Sequence, residues 1–363
     1  MALEKKSFIE QNDVDTHVIK CDACGSNMIF NPDTQSLSCE HCGSERKFDT
    51  SKFAQEQDIL SGFAKNAQWK AGETAVFSCT NCGAKVVLGA GQTAKKCPFC
   101  ATAHVQEEKE FSGIKPNAVI PFTIGDKKAI ELSKAWARKR FFAPRKFKKN
   151  INAENVNGLY TPCFTFDSTT QSQYVGRIGK THTRIVGSGN NRRVQTYTVW
   201  HDIMGTYTTS FDDIIVNASY KIDQKQLKAI SPYPTGESKE YQDKYLYGYM
   251  AYHYDKDIRD CWDSAKESME ACIRRQILAQ YSYDKFAYLN VSTIHHNATY
   301  KYVLLPVYVG NFTFRQKVYN FFVNGCTGKV KGKTPKSVWK ILGTILIGCA
   351  IMLSIVLLNY YLK

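Results

Sequence analysis

Two stretches of this 363-residue chain carry one and the same cysteine frame, C-x2-C-x14-C-x2-C. The first is Cys21, Cys24, Cys39 and Cys42; the second is Cys79, Cys82, Cys97 and Cys100. Each C-x2-C turn sets two sulfurs about 2.3 Å from one ion, and the intervening stretch folds back as a hairpin to present the second pair. Gly25, Gly43 and Gly83 follow three of the four turns, where a positive φ lets backbone N–H groups point at sulfur. A catalytic zinc keeps an open position, whereas four sulfurs close the shell, so the frames predict two structural Zn2+ ions. A redox dithiol would be a single pair within a βαβ unit. His41, inside a turn, reads as a solvent-facing residue. Segments this short bury little core, so metal supplies their folding free energy, on the order of 10 kcal/mol. Each ribbon is expected to fold by itself, and Cys82→Ser to unfold only the second.

The other five of the 13 cysteines are scattered singly, a poor disulfide framework, and the opening MALEKKSFIEQNDVD has no apolar run of the secretory kind. Both features place the bulk of the chain in a reducing compartment. Charge is uneven: the formal net charge is +15, and no Asp or Glu follows Asp284. Ile341 to Leu358 is uncharged over 18 residues and is flanked by Trp339 and Lys340 before it and by Tyr360, Tyr361 and Lys363 after it. That is the pattern of a transmembrane helix with interfacial anchors. Lys329, Lys331, Lys333, Lys336 and Lys340 precede it, so the positive-inside rule predicts a single-pass protein of the cell membrane, N-terminus cytoplasmic, held by a C-terminal anchor. The same lysines are expected to meet anionic lipid at the membrane surface.

The chain divides into a tail (1–16), the first ribbon (17–50), a connector helix (51–72), the second ribbon (73–110), an α+β domain (111–328), a basic juxtamembrane segment (329–340) and the membrane helix (341–361). In the connector, Phe53, Leu60 and Phe63 are expected to pack on a ribbon. Period-two alternation in QSQYVGRI, RVQTYTVW and YKYVLLPVYVGNF predicts a mainly antiparallel sheet, with VGSGNNRR from Val186 as a hairpin tip. A helix starts at Asp126 with Ile130, Leu132 and Trp136 inward. A longer one across 255–281 buries Ile258, Trp262, Ala265, Met269, Ile273 and Ile277. The segments from Leu159 and from Leu304 look alike, as an internal duplication of a strand pair would.

No catalytic set is legible. Gly332-Lys333-Thr334 lacks the first glycine of a phosphate loop, since position 327 is Thr327. Alternation sends His295 and His296 to opposite faces of a strand. Acids near Asp255, Asp257, Asp260 and Asp263 fall on a solvated side. In ARKRFFAPRKFKKN, seven cations from Arg138 to Lys149 alternate with Phe141, Phe142 and Phe147. That stretch suits a solvated face, an anionic bilayer, a protein partner or nucleic acid.

The eight cysteines, the block LLPVYVGNFTFRQKVYNFFVNGCTGKVKGKTPKS and the terminal apolar helix together resemble a family of bacterial membrane-anchored TFIIB-type double zinc-ribbon proteins. Some members carry a PriA-like helicase label, yet this chain lacks motor motifs. The resemblance implies proteins encoded beside a phage-shock protein (PspA) and flotillin-like partners, hence a role in envelope stress. The expectation is a non-enzymatic zinc-binding adaptor that docks cytoplasmic proteins at the membrane as a hetero-oligomer. The alternative is a membrane-tethered nucleic-acid-binding regulator.

Overall fold

The computed structural model describes residues 19–64, 75–88, 97, 99, 105–108, 114–149, 151, 156–314 and 317–362. The first cysteine module has its own sheet of β1 (Met28–Asn31), β2 (Ser36–Cys39) and β3 (Glu45–Arg46), with Met28 opposite Cys39. A connector follows, with β4 (Gln57–Asp58) and α1 (Ile59–Ala64). The second module has no sheet of its own. Its strands β5 (Ala75–Cys79), β6 (Lys85–Leu88) and β7 (Val105–Glu108) belong to one large sheet of 12 strands.

That sheet is mainly antiparallel, and the protein is α+β. After β8 (Ala118–Val119) come α2 (Asp126–Arg138) and α3 (Arg145–Lys149), then two long strands, β9 (Val156–Val186) and β10 (Arg193–Asn217). They form a hairpin whose tip runs between Val186 and Arg193, as the Gly-Ser-Gly-Asn-Asn stretch requires. Next are α4 (Gln224–Ile230), β11 (Lys239–Glu240), β12 (Met250–Tyr252) and α5 (Ile258–Ala279). The chain closes with β13 (Lys285–Phe314), β14 (Lys317–Asn324), β15 (Val330–Gly332) and α6 (Val338–Tyr361). The two look-alike segments pair with each other, Leu159 opposite Val307 and Leu304 opposite Pro162.

Strand alternation along β9 separates two cores. Tyr160, Phe164 and Phe166 enter one shared with Cys21, Phe30, Leu37, Tyr245 and Trp262; Leu159 and Cys163 enter another shared with Cys79, Cys97, Phe99 and Leu305. The two cysteine modules thus contribute to different cores, on opposite faces of the sheet, the first through Cys21, Phe30 and Leu37 and the second through Cys79, Cys97 and Phe99. Further along, β9, β10 and β13 continue as a three-stranded arm. One side of the arm is covered by α5, whose Ile273 and Ile277 meet Tyr174, Ile178, Ile203 and Leu289. All six apolar residues expected to face inward from the long helix are buried. The other side of the arm is open to solvent and carries exposed Val175, Met204 and Ile294.

The connector departs from expectation. Among the described residues of the connector, helix runs only over Ile59–Ala64, because Gln57 and Asp58 pair instead with Tyr300 and Thr299 of β13. Residues 65–72 lie outside the described residues. Phe53 and Leu60 are exposed; the Phe53 ring lies under the Lys239 ammonium at 3.8 Å rather than on a cysteine module. Phe63 packs on the first core beside Arg259. The short helix fits there because Gly62 has no side chain. A Cβ would lie 2.6 Å from the Ile258 methyl and 2.7 Å from the Tyr300 ring.

Candidate metal centres

In the first module the Cys21 and Cys42 sulfurs are 3.4 Å apart and those of Cys24 and Cys39 3.5 Å. All four lie within 4.8 Å of one another. A disulfide would need about 2 Å, whereas a tetrahedron of sulfurs 2.3 Å from an ion has edges of about 3.8 Å. The four thiols therefore fit one metal ion. Cys79, Cys82 and Cys97 form a second cluster within the same limit, with 3.6 Å between Cys82 and Cys97. Cys100, expected as its fourth ligand, lies outside the described residues. His41 is exposed and belongs to neither cluster.

The turns that aim these sulfurs share one geometry. Gly25, Gly43 and Gly83 have φ of 72°, 75° and 68°, and each donates its N–H to the carbonyl of Cys21, Cys39 or Cys79 at 2.7–2.9 Å. Left-handed backbone is cheap only for glycine, so the motif's glycines are conformational. Backbone N–H groups of Ala23 and Cys24 lower the pKa of Cys21, and the hydroxyl and N–H groups of Ser26 and Ser44 lower those of Cys24 and Cys42. Cys39 accepts from the Cys42 N–H, yet burial and the sulfurs of Cys24 and Cys42 push it up to about 11. Thiolates are the ligands, so donors that favour them favour metal.

What holds each module differs. The first docks mainly by side chains: Phe30 and Phe48 meet the Tyr245 ring edge-on at 5.4 and 5.1 Å, and the Gln35 amide donates to the Phe122 carbonyl at 2.8 Å, with one backbone bond from the Phe30 N–H to the Tyr247 carbonyl at 2.8 Å. The second is joined by backbone pairing, β6 to β12 from Val86–Tyr252 to Leu88–Met250, extended by the His253 N–H to the Lys85 carbonyl at 3.0 Å. Lys221 donates to the Cys82 carbonyl, and Phe99 packs on Tyr252. The expected autonomy of the second module is corrected accordingly, since its strands are part of the domain's sheet.

A further cluster was not anticipated. β10 and β13 both bulge beside Asp167–Thr169 of β9, with positive φ at Asp213 and Asn297. Carboxylates of Glu56, Asp167 and Asp212 converge there within 4.8 Å. The buried Lys301 ammonium reaches Asp213 at 2.9 Å and Glu56 at 3.3 Å. It sets one positive charge beside two of these acids. Burial pushes Asp167 up to about 7, and Glu56 beside it reinforces the shift; the hydrogen bond from Asp167 pulls Glu56 down to about 2. One sequence signal marks the place: a lone lysine between two tyrosines in an otherwise apolar strand, YKYVLLP.

A Bacillus subtilis (strain 168) protein described as "Uncharacterized protein YdjG" is 30% identical to this chain over 231 residues, which span 63% of this chain and 66% of that protein. No family model matches the chain, and no solved structure matches it.

The remaining sites fall as follows. Cys163 and Cys261 are buried core residues, and burial raises both thiols. His295 is half-buried against Trp262 while His296 is exposed, on opposite sides of β13. α6 is long and apolar enough to cross a membrane, and none of it is buried in the protein. Of the five lysines before it, Lys331, Lys333 and Lys336 are exposed. The other two are engaged: Lys329 donates to the Ser231 carbonyl at 2.7 Å, and Lys340 to the carbonyls of Phe141 and Ala143 at 2.8 Å. In the basic stretch, Phe147 is fully buried beside Trp136 and Phe312, leaving Phe141 and Phe142 exposed.

Proposed function

We propose that this protein is a non-enzymatic, single-pass membrane adaptor, with two structural Zn2+ ions in its cysteine modules. The supporting observation is their placement: the clusters join cores on opposite faces of one sheet, and the same domain runs through β15 into an exposed apolar helix. In that reading α6 anchors the domain to the inner face of the cell membrane, with Lys331, Lys333 and Lys336 near anionic headgroups. Sulfur ligation supports zinc, since a closed tetrahedral thiolate shell suits it and offers no open position for substrate. The open side of the arm, with Val175, Met204 and Ile294 exposed, is the kind of apolar surface that protein partners cover. The family resemblance adds an envelope-stress setting and hetero-oligomeric partners.

Purifying the tagged full chain from membranes, beside one truncated before Ile341, tests the reading. Elemental analysis should find two zinc ions per chain, and a stoichiometric protein should accompany the intact chain through high salt. Finding nucleic acid that washes off steeply with salt would support the tethered regulator instead, which the exposed cations between Arg138 and Lys149 favour. A chain that reaches no membrane and retains no protein would end the adaptor reading.

A further inference from the structure

The turn between α2 and α3 is fastened to the root of α6. The Ser337 N–H donates to the Phe142 carbonyl at 2.8 Å, and the Lys340 ammonium bridges the Phe141 and Ala143 carbonyls while lying over the Phe141 ring. These contacts join chain segments about 200 residues apart in sequence. Phe147 anchors the turn from within, packed among Trp136, Phe312 and Phe321, so the neighbouring phenylalanines cannot also turn inward. Phe141 is 62% exposed, Phe142 42% and Trp339 82%. These three aromatics lie together at the first turn of an apolar helix.

The charge around them has one sign. From Leu132 to Ala153 there is no acid, nor from Lys285 to Lys363. Arg138, Lys139, Arg140, Arg145, Lys146 and Lys149 are exposed on and beside this turn, and Lys336 on the loop that enters α6. Apolar aromatics with cations around them are what an anionic bilayer surface complements: rings enter the headgroup boundary while ammonium and guanidinium groups meet phosphate. We propose that the α2–α3 turn and the root of α6 form a collar that binds anionic phospholipid, a second membrane contact beside the span itself. The collar rests on α6 being inserted. Double-stranded nucleic acid offers the same phosphates but no apolar layer for Phe141, Phe142 and Trp339, which favours lipid.

The test places a photoreactive benzoylphenylalanine at Phe141, or separately at Leu346 within α6, in the full chain. Each protein is reconstituted in nanodiscs of phosphatidylcholine alone or with about a third phosphatidylglycerol. Lysine acetylation rates in the unmodified chain provide a second readout that needs no substitution. Cross-links from position 346 to lipid in both discs, with cross-links from position 141 rising about fivefold in anionic discs, would support the collar. Lys139, Lys146 and Lys149 should then be protected in anionic discs and released at high salt. Lipid cross-links at 346 with none at 141 would overturn the collar and leave the anchor standing. Equal cross-linking at 141 in the two discs would overturn the anionic specificity. No lipid at 346 would remove the anchor, and the collar with it. Protection of those lysines by duplex DNA but not by anionic discs would assign the surface to nucleic acid and overturn the proposal.

Discussion

The two cysteine modules share a ligand frame and a turn geometry, yet they are built into the protein in different ways. The first is a separate three-stranded sheet held on by interlocked aromatic rings; the second lends its hairpin to the domain's own sheet through β6 and β12. Backbone pairing has a fixed register and transmits disorder to its neighbours, whereas a packed face can detach as a body. Equal motifs therefore do not imply equal consequences when metal is lost.

The largest expected effect separates the two cages. Cys79→Ser and Cys21→Ser should each lose one zinc ion by elemental analysis. Amide exchange should accelerate in Cys79→Ser across Met250–Tyr252 and into Leu159–Tyr160, with a loss of about 5 kcal/mol in urea unfolding. In Cys21→Ser the faster exchange should stop at residues 19–50 and 245–249. Identical exchange maps would erase the distinction. Tyr245→Ala sharpens it from the other side: removing the ring between Phe30 and Phe48 should cost about 3–4 kcal/mol while both zinc ions stay bound.

Between the cages, Glu56 of the connector clasps Lys301 and Thr299. Asp167, raised to about 7 from 3.8, contributes stability that is full below its unfolded value and fades as pH climbs toward 7. Glu56, lowered to about 2 from 4.5, contributes stability present above 4.5 that is lost as pH falls toward 2. Thermal melts from pH 5 to pH 8 should therefore decline for the parent and flatten in Asp167→Asn, a difference on the order of 1 kcal/mol after solvent screening. A steeper decline in the variant would contradict the raised Asp167 carboxyl. The smallest effect should not discriminate at all. Gly25→Ala and Gly83→Ala place a methyl where φ is positive but space is free, so each should cost about 1 kcal/mol, equal in both modules.

Local rules were legible in the sequence and long-range ones were not. The cysteine spacing, the stripe from Ile258 to Ile277 and the glycine-rich tip after Val186 each depend on neighbours a few residues away, and each appears where its period or turn chemistry puts it. The connector misled because pairing with β13, some 240 residues on, outweighed a weak helical pattern in Phe53 to Phe63. Phe147 went into the core while Phe141 went out, although all three phenylalanines of that stretch look alike in sequence. The Glu56–Asp167–Lys301 cluster needs three distant segments and two bulges, which a single strand pattern does not encode.

The length of the β9–β10 arm gives the molecule leverage. From the paired bulges beside Asp167 to the tip after Val186 the strand runs 19 residues, about 60 Å at strand rise. A rotation of about 5° at the bulges swings the tip through about 5 Å. Whatever grips the end of this lever would feel as a large displacement what the body of the domain registers as a small tilt.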